Sequence, residues 1–144
     1  MLVSAAHPQS PLGRVGGSSA AAPARSAIGV GVASRFETTH DGHASAVVPP
    51  EAKRGVLRSA SVELPLIASG AVRLEDDTTH LAIAFALEGA ADAPLAVAKG
   101  IARYARALGG ADLVHRVHAE GTEDFVVFEE KPTREELRYV VDVS

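Results

Sequence analysis

Residues 78–87, TTHLAIAFAL, limit what this chain can fold into more than any other stretch. Side chains of a β-strand alternate between two faces, so Leu81, Ile83, Phe85 and Leu87 share one face and His80, Ala82, Ala84 and Ala86 the other. A strand apolar on both faces is expected to run centrally in a sheet and to be covered on both sides. The alanine side admits only a close neighbour. Ala82, Ala84 and Ala86 are therefore a candidate interface, to be met by the chain's own helix or by the sheet of a second subunit.

The flanking sequence extends this pattern. SVELPLI (61–67) alternates Val62, Leu64 and Leu66 against Ser61, Glu63 and Pro65, and the proline places it at an edge or bulge. Ser69-Gly70 and Asp76-Asp77 supply turns, giving a three-stranded meander that ends in the two-sided strand. Nearer the start, AIGVGVASRFETTH and HASAVV flank Asp41-Gly42, a strong hairpin signal. Pro50 is suited to open a short helix within 49–59.

A long helix is predicted over about 93–108, with Asp92 as N-cap, Pro94 in the first turn and Gly109-Gly110 as the stop. Val97, Ile101, Tyr104 and Leu108 recur at helical spacing as its buried stripe, and Lys99, Arg103 and Arg106 form a solvated row. ADLVHRVHAE and DFVVFEE then read as a hairpin around Gly121-Thr122. Thr133 and Glu136 stand at capping-box spacing for a short C-terminal helix that docks Leu137, Val140 and Val141; a strand at 137–143 competes with it.

These elements predict an α+β fold: a mainly antiparallel sheet of hairpins with one long helix on one face and a short C-terminal helix, forming a single domain over 27–144. Residues 1–26 lack acidic residues and any sustained period, and are expected to be a flexible low-complexity leader, a composition that also fits an organellar transit peptide. From residue 50 the expected order of a short helix, three strands, a long helix, two strands and a last helix resembles that of type III secretion chaperones. That resemblance concerns architecture and carries no residue motif.

Charge and composition narrow the function. Residues 1–36 sum to +3 and the rest to −7, and the chain has four Phe, two Tyr and no Trp. An acidic domain with few stacking surfaces argues against nucleic-acid binding. The absence of cysteine excludes disulfides and thiolate chemistry, and no apolar run reaches the roughly 20 residues of a spanning helix. A cytoplasmic protein without membrane contact is the expectation.

Six histidines supply the candidate sites. His40 and His43 flank Asp41-Gly42, and a two-residue turn would oppose them as a candidate metal pair, although zinc needs a further ligand. His115 and His118 are three apart, which on a strand sends them to opposite faces: His115 with Leu113, Val117 and Ala119, and His118 with Arg116 and Glu120. His80 follows the acidic turn that contains Asp76 and Asp77. His80, His115 and His118, with Glu120, Asp124 or the acidic turn, are candidate acid–base residues.

Nucleophile and Walker motifs are absent, and GVGVAS lacks the third glycine and following helix of a dinucleotide loop, so no cofactor is expected. The leading expectation is a non-catalytic interaction or assembly module, a homo-oligomer that meets a protein partner through its alanine face or an edge strand. A small acid–base or metal-assisted enzyme and a small-ligand-binding domain are the alternatives.

Overall fold

A computed structural model describes residues 33–132 and 136–144. The predicted leader at 1–26 and the capping residue Thr133 lie outside the described residues.

Ten strands form two antiparallel sheets. The first sheet contains β1 (Arg35–Thr38), β2 (His43–Val47), β3 (Ala60–Pro65), β4 (Val72–Asp76), β5 (Ala82–Leu87) and β10 (Tyr139–Val143), in the order β1-β2-β3-β4-β5-β10. The second contains β6 (Leu95–Ala98), β7 (Ile101–Leu108), β8 (Ala111–His118) and β9 (Gly121–Val127), in chain order. Each sheet is a run of hairpins, except that β10 returns across the molecule to pair with β5, setting Tyr139 opposite Leu87 and Val143 opposite Ile83.

Alternation explains why these segments are strands and which face they bury. In β8, Ala111, Leu113, His115 and Val117 point inward while Asp112, Val114, Arg116 and His118 are only partly covered. Across the gap, Val62, Leu64 and Val72 of the first sheet pack in one cluster with Ala102 and Val117 of the second. A neighbouring cluster joins Ala68, Leu87 and Ala93 to Tyr104, Ala107 and Leu113. Small residues at Ala102 and Ala107 let the sheets approach, and the Tyr104 hydroxyl crosses the gap to donate to the Pro65 carbonyl at 2.6 Å.

The α+β expectation is overturned: the described residues contain no α-helix, only one 3₁₀ turn at Pro50–Lys53. Residues 93–108 form the β6–β7 hairpin, turned at Lys99-Gly100 with φ of 51° and 75°. Two consecutive positive φ values define the tight turn that suits a hairpin, and glycine supplies the second without steric cost. A bulge between Tyr104 and Leu108, with Arg106 at φ 53°, adds two residues to β7. Its buried positions are therefore Ala102, Tyr104 and Ala107, spaced two and then three, and this broken alternation imitates a helical stripe.

The expected C-terminal helix is also corrected, because Tyr139–Val143 is a strand, as a valine-rich run favours. Without the two helices, the element order no longer resembles that of the secretion chaperones. β5 does lie inside its sheet, between β4 and β10, but no helix covers it. Ala82, Ala84 and Ala86 are half-buried on a face shared with Arg73, Glu75 and Asp142, while Leu81 and Ile83 are largely exposed. Among the described residues, no helix is long and apolar enough to cross a membrane.

Candidate functional site

The β8–β9 hairpin turns at Ala119-Glu120, two residues before the expected Gly121-Thr122, and this register sets His115 directly opposite Asp124. Both side chains face the other sheet. The His115 Nδ1 lies 2.6 Å from Asp124 Oδ1, and Thr122 Oγ1 donates to the same oxygen at 3.0 Å. A carboxylate only accepts, so the imidazole donates from Nδ1. Asp124 Oδ2 accepts from no described residue. The His115 side chain is 8% exposed and that of Asp124 23%, because the Asp124 main chain lies on the free edge of β9 while its side chain turns inward.

Aromatic residues from three distant strands close around this pair. The Tyr104 ring meets His115 edge-on, with centroids 5.6 Å apart at 88°, and Phe85 meets Tyr139 at 6.0 Å and 67°. Phe85, Tyr104, Phe125 and Tyr139 line a cleft that holds His115 and Asp124 and opens between the edges of β9 and β10. These are four of the chain's six aromatic residues, four Phe and two Tyr in all. Burial, and secondarily the Asp124 carboxylate, pushes the pKa of both the Tyr104 and Tyr139 phenols up. The empty space is about 380 Å³ counted to the open mouth, yet only about 20 Å³ admits the centre of a water-sized sphere.

The other sequence candidates stand apart. His118 is on the opposite face of β8, with Nε2 3.2 Å from Glu123, and Glu120 is exposed in the turn. His80 protrudes from the β4–β5 turn at φ 58°, its Nδ1 2.7 Å from Glu75. Thr39 rather than His40 faces His43 across a three-residue loop of His40, Asp41 and Gly42, with Gly42 at φ 83°. His40 is exposed, whereas His43 is buried with Nδ1 3.5 Å from Asp41 Oδ2. Among the described residues, no group of three or more His, Asp or Glu side chains is arranged to hold a metal ion.

The acidic turn is explained by local bonding. Asp76 Oδ1 accepts from the Thr79 amide at 2.7 Å, the Thr79 hydroxyl at 2.9 Å and the Thr78 amide at 3.0 Å, and Asp77 ties Lys53 and Ser59. These bonds, led by the Thr79 amide and assisted by Arg58, lower Asp76 to about 2 from 3.8. A depressed carboxylate stabilises the fold above its unfolded value and ceases to do so as pH falls through its folded value. Thermal melts between pH 5 and about 2 should therefore show wild-type stability falling in that window. Asp76→Asn should fall less steeply there, and equal slopes would show that the turn contributes nothing.

No protein-family model, curated protein or solved structure matches this chain.

Asp124 was within reach of sequence reasoning as a partner for His115, since the two positions are equidistant from Ala119-Glu120. The aromatic lining was not. It depends on β5, β7 and β10 converging, and the spacing around Tyr104 imitates a helical stripe. The arrangement gathers one carboxylate, with an oxygen that accepts from no described residue, beside aromatic side chains.

Proposed function

We propose that this chain is an interaction module that receives an extended segment of a protein partner along β10. The observation that carries this reading is the outer edge of that strand, which pairs with no other strand among the described residues. Arg138 and Ser144 bond to Glu88 and Ala82 of the β5 side, so by antiparallel alternation Tyr139, Val141 and Val143 direct their N–H and C=O groups away from the sheet. All five residues of β10 are exposed, four of them large and apolar.

The other edges are better protected. β1 carries the paired Arg35 and Glu37, β9 carries Glu123 and Asp124, and β6 is a four-residue strand between Pro94 and Lys99. Charge, proline and shortness are the ordinary defences of an edge, and β10 has only Asp142. Strand addition supplies affinity through main-chain bonds and specificity through alternate side chains.

Val141→Pro tests this reading, since a proline whose N–H would face outward is tolerated at an edge but cannot donate to an added strand. A capped five-residue peptide, Thr-Val-norleucine-Val-Thr, is the probe, followed through the β10 amides by NMR. Wild type is expected to show saturable shifts at Tyr139, Val141 and Val143, and Val141→Pro none, with an unchanged melting temperature. Peptide-independent shifts that grow with protein concentration would identify the partner segment as a second copy. Absence of both kinds of shift in wild type overturns the reading.

A further inference from the structure

The cleft beside β10 has a chemistry of its own. We infer that it selects a lysine on the incoming strand, taking the ammonium head between the aromatic side chains and the Asp124 carboxylate. This inference rests on strand addition at β10.

Register brings the side chain to the place. Tyr139 pairs with Leu87, a residue of the inter-sheet core, so Tyr139, Val141 and Val143 lie on the inner face of the sheet. In an antiparallel addition, the partner residue opposite Tyr139 shares that face and stands at the mouth of the cleft that Tyr139 lines.

Charge selects a cation. Asp124 is the carboxylate that lines the cleft, and its Oδ2 accepts from no described residue. Aromatic side chains add attraction for a cation on their faces, and Phe85 and Tyr139, both on the inner face, are partly accessible. An anion would meet the Asp124 carboxylate directly, and a neutral chain would bring no charged donor to Oδ2. Size then separates the two cationic side chains. The 20 Å³ open to a water-sized sphere is about the space of one water, which suits a compact ammonium on an unbranched stem. A planar guanidinium is wider and requires the walls to part.

The experiment compares three capped peptides, Thr-Val-X-Val-Thr, with X as lysine, arginine or norleucine, titrated against wild type, Asp124→Asn and Tyr139→Leu. Lysine is expected to bind wild type about tenfold more tightly than norleucine, as for one charge-assisted hydrogen bond, with arginine between them. Asp124→Asn should bring lysine to within about twofold of norleucine while leaving norleucine unchanged. Tyr139→Leu changes a half-exposed residue at the mouth of the cleft; it should cut the lysine preference about threefold, and it carries the test if Asp124→Asn does not fold.

Equal binding of lysine and norleucine at β10 would overturn the lysine inference and leave strand addition standing. A lysine preference that survives Asp124→Asn overturns it as well, by placing the selecting charge elsewhere. Failure of all three peptides to shift the β10 amides would remove the strand reading, and this inference with it.

Discussion

Tyr104→Ala is expected to destabilise the fold by about 3–5 kcal/mol, the range for removing a large aromatic side chain from a packed interior. Tyr104 is almost fully buried, lies in a cluster built by both sheets, and sends its hydroxyl across to the Pro65 carbonyl. It also forms the wall against which His115 is held edge-on. Tyr104→Phe keeps the ring and removes only the bond, so its expected cost is smaller, about 1–2 kcal/mol. Urea unfolding of the two variants separates the contributions. A loss below about 1 kcal/mol for Tyr104→Ala would show that the sheets are not joined through this residue.

Leu64→Ala is the second large effect, expected at about 2–5 kcal/mol because the surrounding strands relax only partly into the cavity. Leu64 is 0% exposed, near the end of β3, and belongs to a core to which β4, β7 and β8 contribute. Leu57 offers the contrast within the same protein: at 98% exposed, its replacement by alanine should change stability by no more than about 0.5 kcal/mol. Similar losses for both leucines by denaturant unfolding would contradict this assignment of the core.

The strands with unbroken alternation were legible without a structure. Val62 and Leu64 in β3, and Leu113, His115 and Val117 in β8, follow a strict two-residue period, which leaves little choice of face. The β6–β7 segment was misread for a specific reason. A bulge shifts the phase of β7 after Tyr104, and the resulting spacing also satisfies a helical template. Gly100, inside the expected helix, was the contrary signal, since glycine weakens a helix interior and completes a tight hairpin turn.

Half of the candidate site was similarly accessible. His115 and its inward face follow from the alternation of β8, and Asp124 follows once the turn is placed at Ala119-Glu120. The cleft was not accessible, because its walls come from residues 85, 104, 125 and 139 and the pairing of β10 with β5 spans more than fifty residues. His40 and His43 show how finely local geometry decides: one extra loop residue moves Thr39 into the place opposite His43 and leaves His40 in solvent.

The sequence by itself determined the acidic balance, the absence of thiol chemistry, and the hairpin segments whose alternation and turn residues agree. Tertiary structure decided whether 93–108 would be a helix or two strands, that the apolar β10 would stand at a sheet edge, and that Asp124 would lie beside aromatic side chains. The physical reason is that turns and alternation are properties of neighbouring residues, whereas a bulge and an edge are settled by sheet against sheet. Burying Tyr104 and Ala107 on the same face favours the bulged hairpin over a helix whose local periodicity is nearly the same.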